Sequence, residues 1–220
     1  MQATLIVLLL WIGFAGGHLL LSSLTVRHTL VARLGEQRFR GLYSLVAFAF
    51  FIPLVWVYSA HRHSGPWLWA WRGTSVHWVM YPGMALAFVL LVASLVRPSP
   101  ASVVPGEATP KGAFRITRHP LLMAIALFGL LHLLPNGSTT DIVFFGGFVA
   151  FSLIGARHQD ERKLATNAAG FRPFYEATPF LPFTGGNTML GLREMSPFVV
   201  AAGVAAAVVV RTFHASWFGG

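Results

Sequence analysis

Across 220 residues the chain is 55 % hydrophobic and only 10 % charged, and its mean hydropathy is +0.64. A soluble domain carries about 25 % charged residues, so this composition excludes a solvated globule and leaves one domain's worth of membrane protein. With no cysteine, neither a disulfide framework nor a thiolate metal site is possible.

A helix needs about 20 apolar residues to cross the hydrocarbon core. The first such run is Ala3–Leu24. It has no basic leader, and Arg27, Arg33, Arg38 and Arg40 follow it, so it reads as a spanning helix and not a signal peptide. Leu42–Ser59 is the second run and Val76–Val96 the third. At the outer end of these two runs stand Trp67, Trp69, Trp71 and Trp78 with Tyr81, as an interfacial aromatic belt requires. Arg97–Lys111, with four prolines, reads as an extended linker dividing the chain into two three-helix halves. Leu121–Leu134 and Ile142–Ala156 are short for spans. They cross only if His119 and Asp141 lie at the interfaces, and a re-entrant hairpin is the other reading of that pair. Pro197–Val210 closes the set.

Basic residues fix the expected orientation. The first, third and fifth connections hold thirteen of the sixteen, leaving Arg62, Arg72 and Arg211 for the opposite side. The expectation is a single all-α transmembrane domain over residues 1–220, with six helices and both termini outside, on the periplasmic face. A compact chain without a targeting extension points to a bacterial inner membrane. The net charge of +9 then reflects this bias and contact with membrane lipids, and no nucleic acid is expected as a partner.

Ionisable groups inside a membrane are functional candidates by default. Here they are His18, in helix one, and His132, inside Leu-Leu-His-Leu-Leu of helix four. No carboxylate, Lys or Arg stands mid-span, which argues against a proton pump or charge-driven transporter. Around His18 the small residues Gly13, Ala15, Gly16 and Gly17 admit a close neighbour, helix or flat cofactor. Ser22 and Thr25 are placed on the same face by helical spacing. An imidazole there seeks a ligand for its lone pair and an acceptor for its N–H. Haem iron meets the first need, and an interhelical hydrogen bond is the alternative.

Most of the remaining histidines read as solvated or headgroup-facing groups. A Ser-His-Asp arrangement is unsupported, since Asp141 and Asp160 are the only Asp residues and no nucleophile elbow is present. Two strings stand out at the inner face. Arg115-Ile-Thr-Arg118-His119-Pro120 opens helix four, with Pro120 suited to a first turn. Gly155–Leu164, containing Asp160 and Glu161, leads to Gly170–Glu176 and Pro179–Phe183.

These strings, together with Arg38–Tyr43, Tyr58–Arg62, His77, Asp160–Leu164 and a last helix ending in His214, resemble the NnrU family, whose plant relative is 15-cis-zeta-carotene isomerase. The resemblance runs along the whole chain. It implies haem b between two histidines, at positions corresponding to His18 and His132, and redox-dependent isomerisation of a polyene double bond. Arg118 and His119 would then balance the haem propionates. The isomerase relative carries a Cys where this chain has Gly129, so exchange to a thiolate ligand is not available here. Bacterial members are associated with nitric oxide and nitrite metabolism.

By rise per residue, His18 lies about 10 Å from the inner end of helix one and His132 about 20 Å beyond His119. His77 and His214 are therefore alternative partners at His132's depth. The C-terminal strings also look like those of isoprenylcysteine carboxyl methyltransferases, which implies S-adenosylmethionine binding, although Leu122 and Ala124 depart from that pattern. A non-catalytic subunit beside a respiratory complex is a third reading. The expected partners are membrane lipids, a lipophilic small-molecule substrate and a redox partner.

Overall fold

The computed structural model describes residues 1–71, 73–102 and 106–218. Arg72 and Val103–Pro105, the latter within the proline-rich linker, lie outside the described residues. The elements are α1 (Gln2–Ser22), α2 (Leu24–Leu34), α3 (Glu36–Ala60), β1 (Trp67–Trp69), α4 (Thr74–Val96), α5 (Ala113–Ile116), α6 (Pro120–Leu133), β2 (Gly137–Ser138), α7 (Thr139–Thr166), α8 (Ala168–Ala177), α9 (Thr188–Glu194) and α10 (Pro197–Phe218). Five of them, α1, α3, α4, α7 and α10, are long and apolar enough to cross a membrane. The remaining apolar run, fourth in chain order, is the 14-residue α6, about 21 Å long and short of the ~30 Å core.

The fifth apolar run was expected to be short, and it is the longest helix, 28 residues. It lengthens at both ends for local reasons. Ser138 Oγ accepts from the Asp141 amide at 3.2 Å and donates to Asp141 Oδ2 at 2.7 Å, a capping box that starts the helix before its apolar run. At the other end Arg157 pairs with Glu161 at 2.8 Å, four residues on, which supports helix through a charged stretch.

Two compact units emerge: residues 1–72 with 132–151, and residues 73–131 with 152–220. This corrects the expected division at the linker into two three-helix halves. Side-chain size decides the grouping, because α4 packs on α10, where Gly203 lies against the Val89 backbone.

In the first unit α1 packs along α3. A Cβ on Gly13 would meet the Phe50 ring, and one on Gly17 would meet Val46 at 3.0 Å, the close approach that small residues permit in lipid. α1 stops at Ser22, and Ser23 is extended. Thr25 therefore belongs to α2, and no Ser22–Thr25 stripe forms on one helix. Gly35, at φ 79°, turns the chain into α3. Glu36 there holds Arg27 at 2.8 Å and Arg40 at 3.0 Å. At the far end β1 and β2 pair antiparallel, Trp67 opposite Ser138. Trp69 Nε1 donates to the Leu133 carbonyl at 2.7 Å. Trp67 and Trp71 are exposed.

In the second unit Leu90, Met123, Ala124 and Ala156 form one core. Ala101, Phe114, Phe171 and Phe174 form another beneath α8. α5 is held to α9 by Glu194, which accepts from Arg115 Nε and the Gly112 amide, both at 2.9 Å.

Candidate functional site

The first unit places His18 on α1 among aromatic rings. Phe14 stands 4.3 Å from its centroid, Tyr43 4.9 Å and Phe151 5.3 Å, the last two edge-on. Its Nδ1 lies 3.0 Å from the Phe14 carbonyl. A carbonyl only accepts, so Nδ1 carries the proton and Nε2 presents its lone pair. That is the tautomer and second contact of a histidine that ligates iron through Nε2. Ser22 Oγ donates to the His18 carbonyl at 2.6 Å, so it serves the end of the helix.

His132, in the last turn of α6, stacks on Phe145 at 4.8 Å and 22°, and its carbonyl accepts from Asn136 at 2.9 Å. Both histidines thus contact α7 within this unit. Phe145 and Phe151 are six residues apart, a rise of about 9 Å, so the two imidazoles meet that helix at different levels. His18 fits an axial ligand by its tautomer, and His132 offers an imidazole on an apolar stack. His77, stacked on Tyr81 at 5.3 Å, and His214, against Phe218 at 5.3 Å, belong to the second unit. Among the described residues no group of three or more His, Cys, Asp or Glu side chains could hold a metal ion.

Sequence reasoning missed a polar cluster at the β-ribbon end of the first unit. Asp141 is wholly buried. Its Oδ1 accepts from Tyr58 OH at 2.9 Å, and Oδ2 accepts from Ser138 at 2.7 Å and from His63 Nδ1 at 3.0 Å. Tyr58 stacks flat on Phe144 at 3.7 Å and meets Phe145 edge-on at 5.4 Å. Only the Ser-Thr-Thr-Asp spacing of the capping box signals any of this in the sequence. Tyr58 and His63 arrive from 83 and 78 residues away.

In the second unit the Arg118-His119-Pro120 string closes on Asp160. Arg118 Nε donates to Oδ2 at 2.7 Å and Nη1 to the Thr178 carbonyl at 2.8 Å. The guanidinium lies 4.2 Å from the centroid of Tyr175. His119 Nε2 donates to Oδ1 at 2.8 Å, while its buried Nδ1 has no partner among the described residues. Arg118, His119 and Asp160 are 7, 2 and 4 % exposed. Asp160 is thus a buried member of the Gly155–Leu164 string, and these donors are directed at an internal carboxylate. The Arg118 amide to the Pro179 carbonyl at 2.9 Å and Thr117 Oγ1 to the Phe180 carbonyl at 2.7 Å stitch the string to Thr178–Phe183. Beside it a cleft of about 350 Å³ is lined by Arg115, Glu176, Thr178 and Asn187, among others. Near it Arg115, then the Gly112 amide, hold the Glu194 carboxyl below the usual carboxylate range.

The sequence profile of the NnrU protein matches residues 5–220. The chain belongs to the NnrU family. It is similar to 15-cis-zeta-carotene isomerase, chloroplastic, of Zea mays, 27 % identical over 187 residues, covering 81 % of this chain and 49 % of the relative. The protein of the same name from Arabidopsis thaliana is 28 % identical over 159 residues, 68 % of this chain and 42 % of the relative. The NnrU chain thus spans about half the length of these curated relatives. No solved structure matches it.

Proposed function

We propose that this NnrU chain is a haem-b protein of the bacterial inner membrane, with both termini periplasmic, acting as a redox-dependent cis–trans isomerase on a lipophilic polyene. The single observation that carries the reading is the His18 tautomer: Nδ1–H bonded to the Phe14 carbonyl at 3.0 Å, with Nε2 left for iron. The name of the plant relatives supports the substrate class. A bound haem would supply an iron centre that exchanges one electron with a conjugated chain, lowering the bond order of the double bond that must rotate.

The chain's own residues perform the rest. Phe14 fixes the tautomer and orientation of His18. Phe14, with Phe51 and Phe151 at ring-centroid distances of 5.2 and 5.0 Å from it, presents flat apolar surface and excludes water. His132 is the second proposed ligand. A link to nitric oxide or nitrite metabolism belongs to the same proposal, as an electron-exchanging role for the same site. The methyltransferase reading draws no support from Arg118 and His119, whose donors go to Asp160.

The test is an absorption spectrum of detergent-purified protein, oxidised and dithionite-reduced, beside His18→Ala and His132→Ala. A Soret band with sharp reduced α and β bands, altered in both variants, is expected. A colourless protein after hemin is supplied overturns the reading.

A further inference from the structure

The Tyr58–Asp141–His63 chain has features that fold maintenance does not require. The capping box and the first turn of α7 already give Asp141 two satisfied contacts through Ser138, and an anion is favoured at that helix start. Two further titratable side chains nonetheless converge on it from distant sequence. One end of the chain reaches water and the rest is buried: His63 is 46 % exposed in its side chain, Asp141 0 %, and Tyr58 7 %. His63 also sits at φ 56°, a left-handed conformation uncommon for a residue other than glycine, and its Nδ1 lies 3.0 Å from Oδ2.

The groups facing Asp141 are Tyr58 from α3, His63 from the turn after it and the neutral Ser138 from β2. The charge of Arg62 also acts on Tyr58. At the inner end Tyr58 meets Phe145, on which His132 stacks. Phe145 is four residues beyond Asp141, about 6 Å along α7.

We propose that His63, Asp141 and Tyr58 form a proton-exchange site that loads the buried carboxyl from water, and that this uptake accompanies arrival of an electron at the histidine site of the same unit. In the step, the Nδ1–H bond of the His63 imidazolium breaks and an O–H bond forms on Asp141 Oδ2, leaving neutral imidazole and neutral carboxyl. The half-exposed ring then rotates to take a proton from hydronium, releasing water. The net change is one proton added to one carboxylate. Paired with one electron from a one-electron donor, it leaves the charge of the low-dielectric interior unchanged, where an uncompensated charge is most costly. Tyr58 OH stays bonded to Oδ1 and holds the carboxyl in place. The electron half rests on the haem reading, and the proton half does not.

The test uses the full chain in detergent and has two readouts. Infrared difference spectra after a pH jump from alkaline to acid should show a protonated-carboxyl band that is lost in Asp141→Asn. In His63→Ala it should appear about tenfold more slowly, and in Tyr58→Phe it should shift. Circular dichroism checks that each variant keeps its helices. In haem-loaded protein the midpoint potential should fall by about 59 mV per pH unit, the one-electron equivalent of a tenfold change in proton activity, and Asp141→Asn should flatten that slope. A carboxyl band unchanged in Asp141→Asn overturns the proposal and leaves the cluster a clamp. A coloured protein with a flat wild-type potential overturns the coupling to the electron. A colourless protein that still shows the Asp141 band removes the haem reading and supports proton exchange alone.

Discussion

Removing the carboxylate at Asp160 isolates the energetics of the Arg118-His119-Pro120 string. Asp160→Ala leaves the Arg118 guanidinium, 7 % exposed, without its countercharge and takes away the acceptor of His119 Nε2. Breaking a buried ion pair by deleting one partner costs about 3–5 kcal/mol. The remaining bond to the Thr178 carbonyl and the Tyr175 ring under the guanidinium offset part of that, since a desolvated cation–π contact is worth about 2 kcal/mol. The expected loss is therefore about 1–3 kcal/mol. The assay is reversible denaturation in mixed micelles, following helix content. Arg118→Met in the Asp160→Ala background removes the stranded charge and should recover more than about 1 kcal/mol of the loss, because a replaced buried pair is far less harmful than a broken one. A loss under about 1 kcal/mol for Asp160→Ala, or no recovery in the double variant, would refute the claim that this string is a buried electrostatic clamp.

Gly13→Leu should drive a side chain into Phe50 and destabilise the first unit by about 1–3 kcal/mol, the usual penalty of overpacking, read in the same denaturation assay. Gly16→Ala, with nothing within 4 Å, should be close to neutral. Glu194 is held below its ordinary range mainly by Arg115. A depressed carboxyl contributes stability above its unfolded value and loses it as pH falls through the folded one. Hydrogen exchange in α9 should accordingly rise on acidification below the ordinary carboxylate range, and Glu194→Gln should show the faster exchange already at neutral pH.

Hydropathy and charge were enough to read a helical chain of membrane type, since apolar length and block charge are properties of the string itself. They also marked His18, because an imidazole among apolar residues and glycines is conspicuous in one dimension. The short α6 was legible as an apolar run displaced by one residue, but the length of α7 was not legible in hydropathy. α7 begins at a capping box and continues through Arg157–Glu161 pairing, and side-chain hydrogen bonds of that kind do not register in an apolar run.

Partnership was the larger gap. Asp160 stands in a string that looks solvated, and only folding brings it to Arg118 and His119, 42 and 41 residues earlier. Asp141 read as an interfacial residue, and only the fold sets it between Tyr58 and His63. The grouping of α4 with α10 was equally hidden, because lipid tails are as apolar as the helices and helix choice then rests on local fit of small against large side chains. Sequence alone determined which segments are apolar and which histidines are out of place there. The tertiary structure decided which carboxylates are buried, which donors they capture and which nitrogen of His18 carries the proton, because a buried polar group tolerates only partners that three-dimensional packing delivers.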